Sequence, residues 1–280
     1  MQPMGLIFDK KTAAIYEDWY QSAQGRAIDR AMERLIANLA EPIPGERVLD
    51  IGCGTGNHLI IMSKLGLDVA GIDYSPYMIK AARERLGHRC ELKTAPAEDL
   101  PYEDNEFHTS FLINTLEFLD NPLAALREAG RVSKNRVFVG VFNSLSWNGL
   151  VKRGQGYLGN ALYDGLKFYN LWQLRFLLKQ AFGDAVVTWG SIGSLPEFQW
   201  QKRLFSKAPG SLKRSPFGIV LGMSVTMRYR FTTQGLPLKV GLKKAPGRSL
   251  AGPAGMKVRG QKAEGGVRSD SGTAGRAVSK

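Results

Sequence analysis

Between residues 47 and 143, short apolar runs alternate with helix-forming segments, and this alternation constrains the fold more than any other feature. RVLDIG (47–52), LDVAGID (67–73), CELKTA (90–95), FHTSFLIN (107–114) and RVFVGVFN (136–143) read as strands rich in β-branched and aromatic residues. Asn57 to Leu65 forms a helix between the first two. Ser75 caps another, with Pro76 at its first position, that runs to about Leu86. Asn121-Pro122 opens a third that runs through about Val132. Strands joined by helical crossovers pair in parallel with a right-handed connection. The expected fold is therefore an α/β protein with a doubly wound, mostly parallel sheet.

The flanks break this rhythm. Residues 12–40 read as one helix, with Ile28, Met32, Leu35, Ile36 and Leu39 on a single apolar face, stopped by Pro42 and Pro44. Residues 144–168 are irregular and glycine-rich. Asn170 then caps an amphipathic helix, LWQLRFLLKQAFG, and AVVTWGSI (185–192) and GIVLGMSVTMRYR (218–230) bring the strands to seven. From residue 233 the chain is Gly-, Lys-, Arg- and Ser-rich without apolar periodicity, the signature of a disordered tail.

Charge divides the 280 residues unevenly. Residues 1–200 carry 21 Lys and Arg against 23 Asp and Glu, whereas residues 201–280 carry 17 against 2, so the net charge of +13 belongs to the C-terminal part. Weak nucleic-acid or anionic-membrane contact is expected through the basic tail, residues 233–280. No apolar run reaches the 18 or so residues needed to span a bilayer. Cys53 and Cys90 make neither a zinc-type nor a disulfide-type spacing, which suits a reducing, cytoplasmic compartment and gives no metal site.

The first strand runs into VLDIGCGTGNH (48–58). Gly52, Gly54 and Gly56 let the backbone take dihedrals closed to other residues and approach a ligand. The loop lacks the lysine of a triphosphate-binding GxxxxGK[ST], and its GxGxG spacing places Asn57 where a dinucleotide site needs a third glycine. Asp50, two residues before the first glycine, suits a ligand carrying positive charge. Asp73, 17 residues after Gly56 at the end of the second strand, can accept two hydrogen bonds from a ribose diol. A nucleoside with a cationic, amino-acid-like arm meets all three demands, and S-adenosylmethionine is the common molecule of that description.

Five ordered blocks extend the likeness: VLDIGCGTGNH (48–58), VAGIDYSPYMIKAAR (69–83), APAEDLPYEDNEF (95–107), FLINTLEFLDNP (111–122) and LREAGRVSKNRVFVGVFN (126–143). Over residues 45–145 the chain resembles the class I S-adenosylmethionine-dependent methyltransferases, of the small-molecule group that includes the quinone-biosynthesis C-methyltransferases. The resemblance implies a Rossmann-like seven-stranded sheet with the last strand antiparallel. It implies an N-terminal helical lid (1–46), a cofactor-binding domain (47–232) with a substrate-site insertion at about 144–170, and the tail (233–280). It implies cofactor contacts at Asp50, Gly52, Gly54, Gly56, Asp73 and Tyr74. Met78 would pack on the adenine, with Ala97 and Glu98 at its edge and Asn114 on the cofactor floor. Two positions depart from the pattern: Pro96 replaces an Asp or Asn and supplies no N–H, and His108 replaces an Asp and receives no role.

The implied reaction is transfer of a methyl group to a small apolar or aromatic metabolite. Tyr16 and Tyr20 in the N-terminal segment, and Trp147 and Tyr163 in the insertion, are the candidate substrate-binding residues. No His, Glu or Asp identifies itself as a general base, so no catalytic residue is assigned. His58 reads as a first-turn surface residue and Phe118 as pocket wall or core. Two alternatives remain. One is a nucleic-acid methyltransferase using the basic C-terminal part, although Asn114-Thr115-Leu116-Glu117 lacks the [DN]PP[YF] pattern used on base amines. The other is a cofactor-binding protein without catalysis.

Overall fold

The computed structural model of the chain describes residue 18 and residues 21–87, 90–146, 167–192 and 214–227. The segment before residue 18, residues 147–166 of the insertion and the tail from 233 fall outside these. So do Tyr16, Tyr20, Trp147 and Tyr163.

Seven described strands form one sheet: β1 Arg47–Ile51, β2 Asp68–Asp73, β3 Glu91–Thr94, β4 Phe107–Ile113, β5 Ser133–Phe142, β6 Val186–Ile192 and β7 Val220–Thr226. Their order is β3-β2-β1-β4-β5-β7-β6. The first five pair in parallel, and β7 runs antiparallel between β5 and β6. The expected architecture is thus the observed one. The chain leaves β1 towards β2 on one side and later returns to β4 on the other. The gap between β1 and β4 is therefore the topological switch point, where open α/β sheets bind ligands.

Five described helices cover the sheet: α1 Ala23–Leu35, α2 Asn57–Lys64, α3 Pro76–Leu86, α4 Pro122–Val132 and α5 Leu171–Phe182. One layer packs Met32 and Leu35 of α1, Leu59 and Met62 of α2 and Ile79 and Ala82 of α3 on Val48, Val69, Phe111 and Phe138. The other packs Ala125, Leu126 and Ala129 of α4 and Leu174 and Leu178 of α5 on Leu49, Leu112, Val137 and Val139. Strands buried on both faces read as continuous apolar runs, which is why they stood out in the sequence.

Glycines set how closely α1 approaches. Gly140, Gly222 and Gly190 lie in register across β5, β7 and β6. A Cβ on Gly140 would meet Met32 Sδ at 2.7 Å, and one on Gly222 would meet Leu39 Cδ1 at 3.1 Å. Gly140 and Gly222 are bare where α1 and the turn that follows it seat on the sheet.

The single helix expected over 12–40 is corrected. Ser22 is extended (φ −68°, ψ 160°), and its hydroxyl oxygen accepts the Gly25 N–H at 3.0 Å, so a new helix starts there. A serine oxygen that can satisfy a free helical N–H favours a cap over helix interior. The same element ends in a π-helical turn, Ile36–Ala40, closed by Glu41 at φ +44°. The strand expected from 136 begins directly at Ser133, after α4.

Candidate functional site

The carboxyl ends of β1, β2 and β4 converge on the glycine loop. Gly52 and Cys53 both donate N–H to the Ile72 carbonyl at 2.8 Å, fixing the loop to the end of β2. Gly52, Gly54 and Gly56 have φ of +76°, +53° and +83°, the left-handed region that favours glycine. Two of them are also glycine for packing reasons. A Cβ on Gly52 would stand 2.4 Å from Thr115 Cγ2, and one on Gly56 would stand 2.7 Å from Leu86 Cδ1. Thr115 in turn donates its hydroxyl to the Ile51 carbonyl at 2.8 Å, tying β4 to β1 across the switch point. Arg85 of α3 donates to the Thr55 carbonyl at 3.0 Å and to its hydroxyl oxygen at 3.1 Å, holding the far side of the loop.

Asp73 is the hinge of this arrangement. Its Oδ2 accepts the Gly54 N–H at 2.9 Å and its Oδ1 accepts the Ser75 N–H at 2.8 Å. Burial raises its pKa, opposed by those two N–H groups. Two donors on one carboxylate fix its orientation at the loop and leave each oxygen a further lone pair.

Asp50 is different. It is fully buried, and neither carboxylate oxygen has a hydrogen-bond partner among the described residues. Burial first, and then the neighbouring Asp73, push its pKa well above the usual carboxylate range. Asp50 therefore caps no loop N–H group among the described residues. A buried, unpaired acid is costly unless it keeps its proton or meets a cation.

Asn114 closes the site from β4. It is buried, sits at φ +52°, and its Oδ1 has no partner among the described residues. A non-glycine residue held in the left-handed region often marks a functional site. Its N–H donates to the Gly140 carbonyl at 2.8 Å, so the strain is imposed by the β4–β5 ladder. Tyr74 stands 44% exposed beside Asp73, whereas Met78 is buried at 2%. Ala97 is buried and Glu98 half-buried in the loop after β3. That loop is tied to the site because the Ala95 N–H donates to the Asp73 carbonyl at 3.2 Å. The structure thus gathers Asp50, the glycines, Asp73 and Asn114 at one edge and puts Ala97 and Glu98 on an adjoining loop.

One histidine expectation is revised. His58 is buried, not on the surface, with Nε2 3.9 Å from Asp29 Oδ1 of α1. Burial pushes its pKa down to about 4, so the ring is neutral at pH 7. His108, given no role, accepts the Arg47 N–H on Nδ1 at 3.0 Å, where the β4–β5 register shifts. Phe118 is half-buried, in keeping with wall or core.

Glu117 is the residue that reading the sequence missed. It lies in a 3-10 turn, Leu116–Phe118, directly after β4, and is buried at 2% exposure. Its Oε1 accepts the Phe142 N–H at 2.9 Å, while Oε2 has no partner among the described residues. Burial raises its pKa to about 7. The one available signal was an acid set between Leu116 and Phe118 in an apolar segment. Lys167 N–H donates to the Glu117 carbonyl at 3.0 Å.

With this geometry in place, the likeness to known proteins is informative. Residues 49–139 match the family model described as a methyltransferase domain. An uncharacterized protein of Methanocaldococcus jannaschii is 35% identical over 146 residues, covering 51% of this chain and 64% of that one. The demethylmenaquinone methyltransferase of Corynebacterium kroppenstedtii is 35% identical over 107 residues, covering 38% and 45%. The chain therefore spans less than two thirds of either relative's length. A Thermotoga maritima crystal structure, described as a SAM-dependent methyltransferase and possible histamine N-methyltransferase, superposes with a TM-score of 0.63. It shares 22% identity and covers 78% of this chain and 97% of that one, a likeness of fold.

Proposed function

We propose, from the premise that residues 49–139 are a methyltransferase domain on a class I fold, that the protein binds S-adenosylmethionine and methylates a small apolar or aromatic molecule. The observation that carries this reading is Asp50, a buried carboxylate without a partner at the switch point. A ligand with ammonium and sulfonium charges offsets the cost of ionising it; NAD, with an anionic pyrophosphate, does not. Asp73 then accepts from the ribose through its remaining lone pairs, and Tyr74, Met78, Ala97, Glu98 and Asn114 surround the nucleoside and the methionine arm.

Bound S-adenosylmethionine supplies a methyl group already activated by the sulfonium. What remains for the protein is to align the acceptor in line and keep water out. Glu117, with Oε2 unpartnered and a pKa near 7, is suited to hold a proton taken from the acceptor at neutral pH. Among the described residues no helix is long and apolar enough to cross a membrane, and Cys53 and Cys90 are free thiols. The free thiols support a cytoplasmic enzyme. Tyr16, Tyr20, Trp147 and Tyr163 stay our candidates for the substrate wall, and the name of the Corynebacterium relative favours a quinone-like acceptor.

The test is to incubate the purified protein with methyl-labelled S-adenosylmethionine, reduced isoprenoid quinones and fractionated cell extract. Label is expected in the solvent-extractable fraction. Label confined to acid-precipitable nucleic acid would favour the second reading, which the excess of 17 basic over 2 acidic residues in 201–280 recommends. Binding without any transfer would leave a cofactor-binding protein.

A further inference from the structure

The outer side of α5 carries an apolar ridge set among polar residues. Leu171, Leu174 and Leu178 face the core. On the opposite side Trp172 is 59% and Phe176 is 64% exposed. At 3.6 residues per turn these two lie about 40° apart, one turn from each other, and form a ridge along the helix. Arg175 and Lys179, both exposed, flank the ridge on one side, and Gln173 and Gln180 flank it on the other. The helix contains no Asp or Glu. Single exposed apolar residues are ordinary on protein surfaces. Two bulky aromatics in line, bordered by a row of cations, are not.

We propose that this face of α5 docks on an anionic lipid surface. Amphipathic aromatics beside basic side chains are the pattern of helices that lie in a bilayer interface: the rings enter the headgroup–acyl boundary and the cations stay at the phosphates. Charge complementarity selects the occupant. A second copy of the chain would bring the Arg175–Lys179 row against a face of α5 that holds no acid to pair with it. A double-stranded nucleic acid, with its bases stacked inside, would leave the central apolar ridge without a partner. Single-stranded DNA that competed the protein off the vesicles through Trp172 and Phe176 would overturn the lipid assignment. The helix begins four residues after Lys167, which is anchored to the Glu117 turn. Docking through α5 would therefore hold the edge of the candidate site near the membrane, where an apolar acceptor is dissolved. The proposal does not depend on which molecule the enzyme methylates, or on whether it methylates one.

The test is co-sedimentation of the full-length protein with vesicles of equal parts phosphatidylcholine and phosphatidylglycerol, against vesicles of phosphatidylcholine alone. It is run at low salt and again at high salt, which screens the basic residues beyond 232. The parent is expected to bind the anionic vesicles and to keep part of that binding at high salt. Trp172→Gln with Phe176→Gln is expected to lower partitioning roughly tenfold or more at both salts. Arg175→Gln and Lys179→Gln are each expected to lower it about fivefold at low salt. All four side chains are exposed, so melting temperature and S-adenosylmethionine binding are expected to stay at parent values. Failure of cofactor binding in the parent would count against the proposed function and leave this inference standing. The inference is overturned if the parent does not sediment with anionic vesicles, or if the double aromatic variant binds them as the parent does. It is equally overturned if sedimentation velocity without lipid shows a parent dimer that the aromatic variant dissociates.

Discussion

Replacing Gly52 by alanine is expected to destabilise the fold by about 2–5 kcal/mol, the sum of a left-handed non-glycine residue and an overpacked contact. The backbone there is at φ +76°, and the new methyl group would stand 2.4 Å from Thr115 Cγ2 and 2.6 Å from its Oγ1. Thr115 cannot swing away without releasing the Ile51 carbonyl to which it donates at 2.8 Å. The clash therefore also unpins β4 from β1. Urea unfolding of the parent, Gly52→Ala, Thr115→Ala and the double variant measures this. Truncating Thr115 removes both clashing atoms, so the double variant should be markedly more stable than the two single losses would sum to. Additive losses, or a Gly52→Ala cost below about 1 kcal/mol, would mean that the glycine is set by something other than Thr115 and φ.

The second large effect is on ligand affinity. Asp73→Ala should weaken S-adenosylmethionine binding by about 1.5–3 kcal/mol, the range for hydrogen bonds to a charged group. That is a loss of about 10- to 150-fold. The variant also loses the two bonds from Gly54 and Ser75 N–H, so a smaller drop in stability accompanies it. Asp73→Asn should not rescue affinity. Its amide offers one acceptor oxygen, while two backbone N–H groups point at the two ends of the native carboxylate. If Asp73→Ala binds as tightly as the parent, Asp73 is only a loop anchor and the ribose contact is elsewhere.

Much of this was legible in the sequence, for identifiable reasons. The inner strands β1, β2, β4, β5 and β7 are buried on both faces, so each is mainly a run of apolar residues between sharp stops. Ser75, Asn121 and Asn170 each accept a helical N–H from the third residue on, as their side chains and positions foretold. What could not be read depends on contacts distant in sequence. Gly52 is required partly by Thr115, 63 residues later, and no local pattern contains that. His58 is buried because α1 covers it, which an amphipathic reading of α2 alone does not reveal. Glu117 is buried with only Oε2 unpartnered among the described residues, because Oε1 is taken by Phe142 at the end of β5. The break at Ser22 rests on a side-chain cap that the apolar spacing of residues 28–39 does not reveal. Asp50 was legible as an acid near the end of the first strand; that both of its oxygens lack a partner among the described residues is a fact of packing.

The central claim is that the switch point holds a cationic nucleoside. Isothermal calorimetry of the full-length protein with S-adenosylmethionine and with NAD tests it most directly. Micromolar affinity, about −8 kcal/mol, is expected for the first and no binding for the second. Burial raises the pKa of Asp50 in the free protein, and the ligand's positive charge favours its ionised form, so affinity should fall as pH is lowered. Measurable NAD binding with no response to S-adenosylmethionine would contradict the account.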